Sequence, residues 1–244
     1  MTILFYQMNN AKFDIYLEFN FTKLNLAAFN KLNNNLEYYD EYKYNSYFEN
    51  NIQLDFEELE KILEKNIRKI EKSVGEYVKD IYLIVETPQS MPVKLSVNKN
   101  NEGKKIIRED VTYLIQDAKQ QIMKFYKDLK ILHIIVEKYT LDNNHHEFLP
   151  LGKSCNKLSI DIKFICFPKT FIKSFENLFS KQQIFIKKFI CQNYVKSFVS
   201  EDTRLNICQR GKNIVDGANK REVVSIPKQS IKKGIFEKLF HFFS

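Results

Sequence analysis

His145-His146-Glu147 is the one cluster in this 244-residue sequence with metal-ligand chemistry. Imidazole nitrogens and a carboxylate suit a divalent cation, but only if they converge on one point. Residues i and i+1 of a strand point to opposite faces, and no third ligand stands nearby. DNNHH therefore reads as a solvated hairpin turn, and no metal site is expected. GxSxG, HExxH and the phosphate-binding GxxxxGK[ST] are absent. The acidic run from Asp55 to Glu60 suits the positive end of a helix dipole rather than a catalytic pair. Lys187-Lys188, set between apolar residues, reads as a solvated edge. The cysteines at 155, 166, 191 and 208 form no CxxC pair and read as reduced thiols, with Cys166 and Cys191 as small core residues. No catalytic residue and no cofactor is expected, so the protein would act by binding.

The binding signal is strongest at residues 231–244, IKKGIFEKLFHFFS. On a helical wheel of 100° per residue, Ile231, Ile235, Phe236, Leu239, Phe240, Phe242 and Phe243 share one half. Lys233 and Lys238 fall on the other, and Lys232 strays only at the first turn, where a long stem can snorkel. This is an interfacial helix pattern, aromatic on one face and cationic on the other. Such a face can also pack on its own body or on a second copy. Charge favours an anionic partner: residues 203–244 carry nine Lys/Arg and three acids, leaving the remainder close to neutral within a total of +8. Aromatics sorted to one face, with lysine far commoner than arginine, disfavour nucleic acid, whose binders interleave aromatics with arginine. No apolar run approaches the ~20 residues a spanning helix needs. MTILFYQMNNAKF lacks the basic and apolar regions of a signal peptide.

Periodicity supplies the elements that must carry these features. Strands are predicted at 3–8, 13–19, 36–42, 81–86, 93–97, 131–141, 158–164 and 184–191. Helices are predicted at about 56–74, 108–126 and 169–181. Their apolar stripes are Leu59/Ile62/Leu63/Ile67/Ile70, Val111/Leu114/Ile115/Ala118/Ile122 and Ile172/Phe175/Leu178/Phe179. Beyond residue 200, Gly211, Gly217 and Pro227 interrupt a polar, basic stretch. Residues 201–229 read as a flexible linker, with a hairpin around VDGANK. Strands and helices mix without a steady βαβ rhythm, so the fold class is α+β.

IREDVTYLIQDAKQ, ILHIIVEKYTLD and PLGKSCNKLSIDIKFI, over Ile107 to Pro168, resemble the SHS2 insertion of FtsA, the actin-like bacterial division protein. The shared marks are Ile131-Leu132-His133, Glu137, Tyr139, Pro150-Leu151-Gly152 and the alternating strand after them. The helix at 56–74 with IYLIVE, and KTFIKSFENLF, resemble the segments flanking that insertion. The resemblance implies four parts. Residues 1–86 with 168–200 form a partial actin-like (ribonuclease H-like) lobe, and 87–167 form the SHS2 domain. Residues 201–229 are a linker, and 230–244 a membrane-targeting helix.

Departures from the family set the functional expectation. Where its phosphate loop would lie, the run Glu18 to Leu24 places Asn20, Thr22 and Lys23, with Asn20 at the aspartate's position and no glycine. Backbone N–H groups need glycine's freedom to approach a phosphate closely. The sequence also stops before a second lobe would begin, so no nucleotide binding is expected and the link to FtsZ stays open. The resemblance implies a non-catalytic cell-division adaptor on the cytoplasmic face of the membrane at the division site. Its expected partners are an anionic membrane surface, other copies of itself and division proteins. A PilM-type pilus-assembly adaptor, or a nucleic-acid binder using the basic tail, are the alternatives.

Overall fold

Two sheets organise the chain. The computed structural model describes residues 11–20, 22–43, 56–198 and 204–223. The strand expected at 3–8 and the whole of 231–244 lie outside them. The first sheet contains β1 (Phe13–Phe19), β2 (Lys23–Asn30), β3 (Leu36–Lys43), β4 (Asp80–Val85) and a strand near the end, Phe185–Cys191. Its order is β3-β2-β1-β4 and then that last strand. β1 pairs antiparallel with β2 and parallel with β4, which is itself parallel to Phe185–Cys191. Helix α1 (Phe56–Val74) packs on β2 and β3. Its stripe at Leu59, Leu63, Ile67 and Ile70 is buried.

Everything of the second sheet lies in sequence between β4 and its neighbour Phe185–Cys191. It is therefore an insertion into the first unit. Its strands are β5 (Met91–Asn100), β6 (Leu129–Leu141), β7 (Asn144–His146) and β8 (Lys157–Pro168), in the antiparallel order β5-β8-β6-β7. Helix α2 (Arg108–Phe125) buries Val111, Leu114, Ala118 and Ile122 against Val97, Ile160, Ile162 and Phe164. Helix α3 (Lys169–Ser180) returns the chain to the first unit, to β9 (Phe185–Cys191) and the short α4 (Gln192–Ser197). The fold is α+β with one unit inserted into the other, and each unit has its own apolar core.

β1 is buried on both faces from Ile15 to Phe19. One face meets α3, with the Phe19 and Phe175 rings 5.8 Å apart. The other carries Tyr16, stacked on Tyr82 at 4.6 Å and edge-on to Phe29 at 5.4 Å. Something must cover that second face, and it is the stretch expected to be a flexible linker. Residues 207–215 form helix α5 (Ile207–Val215), packed on β1 and β2. Asn206 opens it with a capping box: its side chain accepts from Gln209 N at 2.9 Å, and its N–H donates to Gln209 Oε1 at 3.0 Å. Cys208 and Ile214 are fully buried. Gly211 allows the close approach, because a Cβ there would lie 2.5 Å from Ile84 Cδ1. The linker assignment is thus corrected for residues 204–223.

The expected hairpin around VDGANK is absent too. Gly217, at φ 85°, turns the chain after α5, and residues 221–223 then pair with β6 instead. Val136 N donates to Arg221 O at 2.9 Å and Val223 N to Ile134 O at 2.8 Å. This uses the part of the β6 edge that the short β7 does not reach.

Candidate functional site

The β1–β2 turn occupies the place where a phosphate loop was sought. Asn20 Oδ1 accepts from Thr22 N at 2.9 Å, Thr22 Oγ1 at 3.1 Å and Lys23 N at 2.9 Å. Lys23 Nζ pairs with Glu41 at 2.6 Å. The N–H groups that would cradle a phosphate are thus bonded to a side chain of the same turn. Behind it Glu18 is buried, taking hydrogen bonds from the amides of Asn25 and Gln192 and, at 3.1 Å, of Asn20. Burial pushes its carboxyl above the usual range against these donors. Three amides and a buried carboxyl bond to one another beside the turn.

The other polar constellation joins the two units. His133, on β6 of the inserted sheet, and Glu222, 89 residues later, meet in the interior with Nδ1 and Oε1 2.8 Å apart. Cys191 N donates to His133 Nε2 at 3.0 Å, which leaves the imidazole proton on Nδ1, pointing at the carboxylate. Tyr194 OH donates to the second oxygen of Glu222 at 2.8 Å and accepts from Asn219 Nδ2 at 2.7 Å. Lys188 Nζ lies 3.5 Å from Glu222. Burial holds the imidazole below its ordinary pKa, outweighing the opposing pull of Glu222. Burial would raise the Glu222 carboxyl, but the donors around it prevail and hold it low. A neutral histidine and a carboxylate balanced by Lys188 therefore clamp the SHS2-like unit, α4 and the 219–223 segment together. Arg221 adds an ion pair to Glu147 and lies over the Phe148 ring. His133 stands among the marks of the family resemblance, at the opening of a strand, but neither it nor Glu222 is singled out there as a site residue, and no spacing links the two.

His145 and His146 do not converge. His145 Nδ1 lies 3.1 Å from Thr140 Oγ1 and His146 Nδ1 3.5 Å from Lys153 Nζ, while Glu147 turns to Arg221. Among the described residues no three His, Cys, Asp or Glu side chains group as metal ligands, and no helix is long and apolar enough to cross a membrane. The four cysteines are free and buried. Ile231, Lys232, Lys233, Ile235, Phe236, Lys238, Leu239, Phe240, Phe242 and Phe243 lie outside the described residues.

The family model of the SHS2 domain inserted in FtsA matches residues 86–166, the inserted sheet and α2. No curated protein matches the chain. Solved structures do. One is a PilM–PilN type IV pilus biogenesis complex, at TM-score 0.46 and 6% identity, over 75% of this chain and 48% of that one. Another is the cytoplasmic domain of EpsL, an inner membrane component of the type II secretion system of Vibrio cholerae, at 0.36 and 7%, over 78% and 59%. A Bacteroides thetaiotaomicron protein of actin-like ATPase fold and unknown function follows at 0.33 and 10%, over 77% and 55%. This chain spans about half the length of the solved chains it matches.

Proposed function

We propose that this protein is a non-catalytic adaptor of the FtsA type in bacterial cell division. It would hold to the cytoplasmic face of the membrane through residues 231–244 and present its SHS2 unit to other division proteins or to further copies of itself. The observation that carries this reading is the SHS2 match over residues 86–166, on a unit inserted between two adjacent parallel strands. That placement supports reading the first sheet as a partial actin-like lobe. The closed β1–β2 turn and the carboxyl and amides packed beside it support a protein that works without nucleotide, because the N–H donors of Thr22 and Lys23 are already bonded. On this reading, without nucleotide chemistry, the activity would be binding. An amphipathic segment as short as 231–244 would bind a bilayer weakly by itself, so self-association would raise its avidity.

Co-sedimentation with vesicles tests the tail. Full-length protein is expected to pellet with phosphatidylglycerol-containing vesicles and Phe240→Glu to stay in the supernatant, both with the same melting temperature. Equal pelleting of the two would remove the tail from membrane binding. A fluorescent fusion then locates the protein: a midcell ring supports the division role, and a pilus base transfers the reading to the PilM type.

A further inference from the structure

An open groove lies where the two units meet. A cleft of about 500 Å³ lies between β4, β6, β9 and the 215–223 segment, and a second of about 200 Å³ continues it along α2. The two share Lys119 and Ile131. The floor is apolar: Ile131, Leu132 and Ile134 of β6, then Met123 and Leu129. The rim is cationic, formed by Lys119, Lys127, Lys130, Lys169, Lys187 and Lys188, and the one carboxylate in the lining is Glu222. Lys187 is paired with Asp80 at 2.6 Å and Lys130 with Glu176 at 3.1 Å. Lys119, Lys127 and Lys169 have no carboxylate partner among the described residues.

The chain leaves the described body at Val223, which itself lines this groove. From Val223 to Ile231 is eight residue steps, a reach of at most roughly 28 Å when fully extended. A body of this size spans about 40 Å. A tail held in a bilayer therefore keeps the groove face toward the lipid, since the opposite face lies beyond the tether.

We infer that this lysine-rimmed groove is the membrane-facing surface of the body and receives the anionic headgroups of a phospholipid bilayer. The inference rests on the proposed membrane role of the tail. The tail supplies apolar insertion, and the groove supplies preference for negative lipid and fixes the orientation of the SHS2 unit.

Full-length protein, Phe240→Glu and the triple variant Lys119→Glu/Lys127→Glu/Lys169→Glu are compared on vesicles of phosphatidylcholine with and without phosphatidylglycerol. All three lysines are exposed, so the triple variant should fold, and its circular dichroism and melting temperature check this. Charges near an anionic surface add up, so the triple variant should partition onto phosphatidylglycerol vesicles at least about tenfold more weakly than wild type at low salt, with no change on pure phosphatidylcholine. A dye on Met123→Cys, beside four buried native cysteines, should shift to the blue on phosphatidylglycerol vesicles. Loss by Phe240→Glu with an unchanged triple variant and no dye shift leaves the tail reading standing and overturns the groove. Loss by the triple variant alone supports the groove and sinks the tail. No binding by wild type overturns both. If the triple variant loses only capture of poly-glutamate, with vesicle binding intact, the groove serves an acidic polypeptide and the lipid assignment fails.

Discussion

Replacing Glu222 by alanine is expected to destabilise the protein by about 3 kcal/mol, although sequence patterning placed this residue in a linker. The magnitude follows from what the side chain holds. His133 Nδ1–H and the Tyr194 hydroxyl both donate to Glu222, at 2.8 Å each, in a region where the His133 side chain has no exposure. Each donor left without an acceptor costs about 1–3 kcal/mol. The pairing with Lys188, whose side chain is 28% exposed, adds little because solvent screens it. Relief from burying a carboxylate returns part of the loss. Glu222→Gln keeps an acceptor for His133 and should cost only about 1 kcal/mol. Urea unfolding measures both: with m near ~2–3 kcal/mol/M, the alanine variant should lose about 1–1.5 M in midpoint. Tyr194→Phe makes the test sharper. With the hydroxyl gone, Glu222→Ala should cost about 1–2 kcal/mol less, because one orphaned donor no longer exists. An alanine cost under about 0.5 kcal/mol, typical of surface sites, or one identical in both backgrounds, would refute the clamp.

Gly211→Val is expected to destabilise by about 2 kcal/mol, because the new Cβ would meet Ile84 Cδ1 at 2.5 Å in a fully buried position. Thermal melting should fall by about 4–8 °C, and an unchanged melt would mean that α5 does not rest on β4. Stability should also fall as pH drops below about 6.5. Burial keeps His133 neutral in the fold, so the unfolded chain takes up a proton there that the folded chain refuses. Glu222, held below its ordinary range, adds a loss beginning below about 4.5. Glu18 acts in the opposite sense: raised by burial, its carboxyl holds its proton to higher pH in the fold than in the unfolded chain, and its contribution fades as pH rises from about 4.5 through its raised value. Between pH 5 and 7 His133 should therefore contribute positively to the slope of urea midpoint against pH, so that His133→Phe lowers that slope, and a slope unaffected by the substitution would reject the His133 contribution.

The parts of the fold that local periodicity could reveal were those with long, one-sided patterns. α1, α2 and α3 each bury a single stripe, and β8 alternates cleanly at Leu158, Ile160, Ile162 and Phe164, so each shows its period. β2 hid because both its faces are buried, and LNLAAF then alternates nothing. α5 hid for another reason. It spans only nine residues, has glycine at its centre and is polar in composition, so its helical identity rests on the sheet face it covers. Asn206 and Gln209, a capping pair three residues apart, were the one local sign. The His133–Glu222 contact joins residues 89 positions apart, and no window of sequence spans that distance.

The same residues change how a membrane adaptor of this kind would be built. With a flexible linker, a tail on the bilayer would say nothing about the pose of the body. Here the segment before the tail is fixed three times over: α5 seals the first sheet, Glu222 bonds into the interior, and residues 221–223 extend the edge of β6. A pull on the tail therefore acts on both units at once, through Val223 and the clamp. Seven residues, 224–230, separate Val223 from Ile231, a length of at most about 25 Å. If the tail holds to a membrane as proposed, the SHS2-like unit on such a mount would have a restricted set of orientations above the bilayer. Lengthening the segment between Val223 and Ile231 with glycine and serine should leave vesicle binding intact while loosening that orientation. Energy transfer from a donor on Met123→Cys to acceptor-labelled lipid would read this directly, and transfer that ignores linker length would show that the tail does not set the pose.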